Sequence, residues 1–108
     1  MKKYSIEFSE VAIEDLQSIS AYVGEYFIEK ARTDAYVLSI IDRIELLKSV
    51  PNMGVLANDK LGVPVSTEIG YRLLFVDPYV AVYYVEDENK LITIVRIFHQ
   101  KQDFSSLF

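Results

Sequence analysis

The chain has 108 residues, of which 51% are hydrophobic and 25% charged. This length and balance are typical of one folded domain rather than a disordered chain. Eleven Lys and Arg residues stand against sixteen Asp and Glu residues, so the formal net charge is −5. A negative net charge disfavours proteins that hold nucleic acid through bulk electrostatics, because phosphate neutralisation needs a cationic surface. We expect a single domain over residues 1–108.

The small number of cysteine and histidine residues and the short apolar runs exclude several further classes of protein. The absence of cysteine excludes disulfides and thiolate metal sites, and a single histidine excludes sites that need two imidazoles. No uncharged apolar run approaches the roughly 18 to 20 residues that span a bilayer. We therefore expect a cytoplasmic protein with no metal, cofactor or membrane partner.

The first predicted element is a strand, because apolar and polar side chains alternate over residues 4–8. Ser9 follows as a helix N-cap, with Glu10 placed favourably in the first turn. Apolar residues then recur at steps of three and four in two segments, which are interrupted around residues 27–30. The two stripes are Ala12, Leu16, Ile19, Val23 and Tyr26, then Val37, Ile40, Ile44 and Leu47.

These stripes predict two helices that form an antiparallel hairpin. The second must stop near Pro51, because proline disfavours helical geometry in the residue before it. The acidic pair Glu14-Asp15 is interpreted as part of a solvated helix face.

The second half of the chain predicts a loop and three strands. Residues 52–70 contain three glycines and no sustained period, which indicates a loop with room for one short strand. Strand patterns follow at residues 71–76, 79–85 and 91–98, and their connectors are short enough to make them antiparallel neighbours. The order β-α-α-β-β-β predicts a two-layer α+β domain, in which the helix hairpin packs on an antiparallel sheet.

The few cations of the sheet half are the candidates for chemistry: Arg72, Arg96 and His99. The plain alternatives are a surface ion pair of Arg72 with Glu68 or Asp77, and a structural ion pair for Arg96, since an unpaired buried charge is costly. If the three converged on a phosphodiester, arginine would stabilise the phosphate charge and histidine would act as general acid or base, without a metal. Regular alternation puts Arg96 and His99 on opposite sheet faces unless the strand bulges.

Several short segments occur together in the order that one known protein superfamily shows. They are residues 4–9 with Ala12, Asp15, Leu16, Ile19 and Tyr22; Leu47, Pro51 and Gly54; residues 70–72 with residues 79–83; and Ile94, Arg96, Ile97, His99, Gln102 and Asp103. On these residues the chain resembles the RelE/ParE superfamily of toxins from bacterial type II toxin-antitoxin systems, which include plasmid stabilization modules. The resemblance runs over nearly the whole length.

The resemblance implies a RelE/ParE-like fold and a growth-inhibiting toxin that a cognate antitoxin neutralises. It also implies no DNA binding by the toxin without that antitoxin. RelE-like members cleave messenger RNA on the ribosome, whereas ParE-like members poison DNA gyrase. Arg72 matches an arginine that nuclease members use on the phosphate, and His99 matches a catalytic histidine of some of them. Gln100 follows, however, where those members carry an essential tyrosine.

The helix hairpin and the ending of the chain look more similar to the ParE side of the superfamily. The net charge of −5 argues the same way, because ribosome-dependent members are typically basic. We therefore expect a toxin with a protein target such as gyrase. A ribosome-dependent, metal-independent mRNA endonuclease and a non-toxic antitoxin-binding regulator are the alternatives. Lys101, Gln102 and Asp103 are predicted to bind the target or partner; Arg72, Arg96 and His99 are predicted to be catalytic only in the nuclease alternative.

Overall fold

The computed structural model describes residues 3–57 and 69–101, which contain two α-helices and five strands. Their bounds are β1 Ser5–Phe8, α1 Glu10–Gly24, α2 Lys30–Glu45, β2 Val55–Leu56, β3 Arg72–Val76, β4 Tyr79–Glu86 and β5 Leu91–His99. A 3-10 turn, Leu46–Lys48, continues α2. Neither α-helix of this described part has the length and apolar character to cross a membrane.

Helix α1 begins as predicted, because the Ser9 hydroxyl accepts a hydrogen bond from the Ala12 amide at 3.0 Å. Ala12, Ile19 and Val23 are buried, which confirms the inner stripe. The extension of that stripe to Tyr26 is wrong: the helix ends at Gly24, and the Tyr26 side chain is 68% exposed. Helical spacing no longer sets side-chain direction beyond the last helical residue.

The five strands form one sheet in the order β1-β5-β4-β3-β2. The predicted antiparallel pairing of the last three strands is confirmed, and the short β2 adds to the far edge. The sheet as a whole is mixed rather than antiparallel, because β1 runs parallel to β5, with Ser5 opposite Leu91 and Phe8 opposite Ile94. Two parallel strands must be joined by a long crossover connection, and here that connection comprises all of the chain from the end of β1 to the start of β5.

Buried apolar side chains lie on both faces of the sheet. The larger cluster joins the helices to one face and includes Ile19, Ile44, Leu47, Tyr83 and Ile94. A second cluster, formed by residues that alternate along the strands with those of the first and so lie on the opposite face, contains Leu73, Val80, Val82 and Phe98. The helix-covered face confirms the predicted α+β architecture.

Strand β5 carries a bulge at Val95. Tyr83 on β4 lies opposite Ile94, but its neighbour Val82 lies opposite Arg96, so Val95 is the additional residue. Strand β1 ends beside Ile94. Beyond the bulge, the outer edge of β5 therefore faces helix α1 instead of another strand, and a groove forms there.

Candidate functional site

Arg72 at the start of β3 binds a nearby turn of the main chain. Its Nη1 donates to the carbonyl oxygens of Gly54 at 2.7 Å and Asn52 at 3.4 Å. The alternative of an ion pair with Asp77 is not seen in the described part of the chain, because Asp77 follows the opposite end of β3. Glu68, the other predicted partner, lies outside the described residues. Arg72 therefore holds the turn before β2 against the sheet.

Tyr83 on β4 lies opposite Arg72 and binds the same turn. Its fully buried hydroxyl donates to the Pro51 carbonyl at 2.8 Å and accepts from the Gly54 amide at 2.9 Å. Burial raises the pKa of Tyr83, while the Gly54 hydrogen bond and the Arg72 charge oppose that rise. The sequence shows this residue only as one of several strand tyrosines, and its long-range partners carry no sequence signal.

Arg96 on β5 forms an ion pair with Asp15 on α1. Its Nε donates to Oδ2 at 3.0 Å and its Nη2 to Oδ1 at 3.2 Å, while the Ile97 amide donates to the same Oδ2 at 2.8 Å. The placement of Asp15 on a solvated face is wrong, since its side chain is only 15% exposed. The structural ion pair weighed for Arg96 is therefore present, and it neutralises the charge of the arginine locally.

His99 ends β5 and packs against Tyr79. The two rings lie edge to face, with centroids 5.7 Å apart and an interplanar angle of 81°. The His99 Nδ1 accepts a hydrogen bond from the Lys101 amide at 3.1 Å, so the neutral ring carries its proton on Nε2. Lys101 itself is exposed. The other predicted contact residues, Gln102 and Asp103, lie outside the described residues.

The structure brings Arg96 and His99 together but leaves Arg72 elsewhere. Arg96 and His99 line one depression of about 400 Å³, and Arg72 lines another of about 500 Å³. Arg72 lies opposite Tyr83, and His99 lies opposite Tyr79. These positions are four residues apart on β4, or about 13 Å at the usual strand rise of about 3.3 Å per residue. The three cations therefore do not converge on one phosphate.

The first depression lies between α1 and the end of β5 beyond Ile94, where β1 no longer pairs with it. We name it the α1–β5 groove. Its lining residues are Asp15, Ser18, Ile19, Tyr22, Tyr79, Arg96, Ile97, Phe98 and His99. The contribution of α1 to this groove was not predicted from the sequence, although Asp15 and Tyr22 are seven residues apart and therefore lie on one face of the helix. From Arg96 to His99 the strand is regular, with Val82 opposite Arg96 and Tyr79 opposite His99, so the two cations lie on opposite faces and both reach the groove at the strand edge.

The side chains that line the α1–β5 groove determine which chemistry it can supply. Among residues 3–57 and 69–101, no group of three or more His, Asp or Glu side chains is placed to hold a metal ion. Asp15 is taken up by Arg96 and the Ile97 amide, so no free carboxylate there is placed to act as a base. The groove also contains an apolar floor, the Tyr22 and Tyr79 rings, His99, and an arginine whose charge Asp15 offsets.

Comparison with known proteins gives one family match. The model of the ParE toxin of the type II toxin-antitoxin system, parDE, matches residues 6–104. No curated protein matches the chain significantly.

Solved structures with the same fold are components of toxin-antitoxin systems. A chromosomal ParDE system from P. aeruginosa matches with a TM-score of 0.67 and 24% identity, over 90% of this chain and 96% of that chain. A RelBE2 toxin-antitoxin complex from Mycobacterium tuberculosis matches with a TM-score of 0.61 and 17% identity, over 94% and 97%. An archaeal RelE-RelB complex from Pyrococcus horikoshii OT3 gives 0.58 and 14%, over 94% and 99%. These likenesses show a shared fold.

Proposed function

The chain belongs to the ParE toxin family of type II toxin-antitoxin systems, and we propose that it inhibits bacterial growth until a cognate antitoxin binds it. The observation that carries this proposal is the family match over residues 6–104, nearly the whole chain. The similar solved structures, which are toxin-antitoxin systems, support the antitoxin as the partner.

We further propose a protein target such as DNA gyrase. The net charge of −5 supports this choice, because a ribosomal RNA surface repels an acidic protein at long range. The contacts of the two sheet arginines support it as well: Arg72 binds main-chain carbonyls, and Arg96 binds Asp15. Neither guanidinium stands beside His99 as a free phosphate-binding group.

Ribosome-dependent mRNA cleavage is the second candidate, and two solved RelBE-type complexes with the same fold favour it. On that alternative, His99 would act at the phosphodiester and Arg96 would have to leave Asp15 to reach it. Breaking a partly buried ion pair leaves a carboxylate without its partner, which is costly. This cost is why we rank cleavage below a protein target.

The test begins with induced expression in a bacterial host, with and without the small protein encoded beside this gene. Growth arrest that the neighbour relieves is expected, whereas normal growth of induced cells would overturn both toxin proposals and leave the non-toxic regulator. The purified chain is then incubated with DNA gyrase and supercoiled plasmid. Accumulation of cleaved plasmid supports gyrase; intact plasmid together with new mRNA 5′ ends in arrested cells would replace it with the nuclease.

A further inference from the structure

The α1–β5 groove begins where the sheet loses its edge strand. Strand β1 pairs with β5 only as far as Ile94. Beyond it, the Ser9 hydroxyl donates to the Val95 carbonyl at 2.8 Å, and the Asp15 carboxylate accepts from the Ile97 amide at 2.8 Å. These side chains occupy the backbone groups with which an added strand would pair. The groove is therefore suited to a side chain from a partner rather than to a strand.

The floor of the groove favours an uncharged side chain. Ile19 and Ile97 are both at most 7% exposed and supply apolar surface. The Arg96 and Asp15 charges lie 3.0 Å apart and offset each other. A charged group entering there would lose its hydration without finding an unpaired opposite charge. The volume of about 400 Å³ is near the low end of the range of about 300–1,000 Å³ for ligand pockets.

The rim of the groove exposes aromatic surface. Tyr22 is 57% exposed and Tyr26 is 68% exposed, and their ring centroids lie 5.3 Å apart with the two hydroxyls 3.2 Å apart. Exposed tyrosines supply large contact area at low entropic cost, and they are enriched among the residues that dominate binding energy at interfaces. The rim therefore has the composition that is typical of a protein-binding surface.

Helix α1, which forms one wall of the groove, is acidic outside the groove itself, and Glu14 lies one turn before the lining residue Ser18. Helix α1 contains Glu10, Glu14 and Asp15 and no Lys or Arg, and only Asp15 is offset by an arginine. Glu25, which follows the last residue of α1, adds another carboxylate next to Tyr26 in the chain. A partner segment that crosses α1 gains from positive charge.

We propose that the α1–β5 groove is an antitoxin-docking site that receives one uncharged apolar side chain of leucine or phenylalanine size. Lys or Arg residues beside that side chain lie over Glu14 on α1. This inference rests on the proposed function, because it takes the antitoxin as the partner. It adds the contact site and the charge of the antitoxin segment, which is basic there rather than acidic.

The first experiment measures affinity of the full chain for the protein encoded beside its gene, by calorimetry. Tyr22→Ala is compared with Leu38→Ala on α2, since the two side chains are 57% and 55% exposed. Tyr22→Ala is expected to weaken binding by about tenfold or more, as for a central interface residue, while Leu38→Ala changes it less than about twofold. Circular dichroism checks that both variants are folded.

The second experiment measures association rates at two salt concentrations. Glu14→Lys is expected to slow association on the order of fivefold at low salt, and the difference is expected to vanish at about 0.5 M salt. Glu88→Lys, an exposed acid in the β4–β5 turn, is the matched control and leaves the rate nearly unchanged.

The docking site and the toxin proposal can be overturned separately. Equal effects of Tyr22→Ala and Leu38→Ala would overturn the docking site, and faster association of Glu14→Lys would overturn the basic character of the partner segment. Either result leaves the toxin proposal standing as long as the wild-type chain binds. Failure of the wild-type chain to bind the neighbouring protein would overturn the antitoxin proposal and the docking site with it.

Discussion

Asp15 on α1 binds Arg96 on β5 through both carboxylate oxygens, across 81 residues of chain. The same carboxylate accepts a hydrogen bond from the Ile97 amide, so one side chain pairs with both a backbone amide at the edge of the sheet and a guanidinium. This contact fixes the end of β5 against α1 and thereby sets the width of the α1–β5 groove.

We expect Asp15→Ala to lower the free energy of unfolding by about 2–3 kcal/mol, because it leaves a half-buried guanidinium and a strand amide without their partner. Urea denaturation measures the loss. Glu14→Ala on the exposed face beside it is the control, with an expected change within about 0.5 kcal/mol. Equal losses for the two variants would mean that the ion pair contributes nothing.

Gly54 lies where a side chain does not fit. A Cβ there would lie 2.7 Å from the Leu73 carbonyl oxygen and 2.8 Å from the Tyr83 ring. We expect Gly54→Ala to destabilise the protein by about 1–3 kcal/mol through overpacking. Gly24→Ala, at the end of α1, meets atoms no closer than 3.8 Å and is expected to stabilise by about 0.5 kcal/mol. The sign difference is measured by thermal unfolding.

The Tyr83 hydroxyl holds the same turn from the other side. Tyr83→Phe keeps the ring but leaves the Gly54 amide and the Pro51 carbonyl without their partner, at an expected cost of about 1–3 kcal/mol. Tyr84→Phe is the matched change at the next residue, where no hydrogen bond of the hydroxyl is seen within the described residues. Hydrogen exchange of the Gly54 amide should speed up in Tyr83→Phe only.

The fold was largely predictable because its signals are local. Helix α1, helix α2 and the last three strands each carry their own period, and Ser9 and the short strand connectors mark several of their ends. The start of α2 is the exception, because its N-cap Glu29 makes no side-chain capping bond. The direction of β1 was not predictable in this way, because its parallel pairing with β5 depends on the path of the entire chain between them. Parallel and antiparallel edge strands have the same alternation.

The site was less predictable, because its contacts join distant residues. Asp15 lies three residues after Ala12 and four before Ile19, so helical periodicity places it at the border of the apolar stripe, and only the position of β5 shows that this border faces Arg96. The Val95 bulge precedes both Arg96 and His99 and does not change their relative direction. They lie on opposite faces, as regular alternation predicts, and both line the groove because it runs along the outer edge of β5. Arg72 was singled out as a candidate cation with a surface ion pair as the alternative, but its carbonyl partners in the turn before β2 carry no signal in the sequence.

Stability should fall in alkali because of two buried tyrosines. Burial is the main cause that raises the pKa of both Tyr79 and Tyr83 above 10.0. In the unfolded chain these phenols ionise near pH 10, so above about pH 10 the unfolded state releases protons that the folded state retains, and the free energy of unfolding decreases. Below about pH 9 no such change is expected. Urea unfolding from pH 8 to 11 checks this, and Tyr83→Phe should flatten the decline; an unchanged slope contradicts it.

His99→Ala separates a protein target from mRNA cleavage more cleanly than any change at Arg72. Arg72→Ala frees the turn before β2, so lost toxicity there would reflect structure as readily as chemistry. His99 contributes a ring contact with Tyr79 and a bond to the Lys101 amide, so the fold should survive its removal.

A nuclease that uses His99 as general acid or base should lose about 10²–10⁴-fold in rate, whereas a toxin with a protein target should still arrest growth. Colony counts after induction, with protein levels matched by immunoblot, distinguish the two. Loss of arrest in His99→Ala alone, with Lys101→Ala still toxic, would favour cleavage.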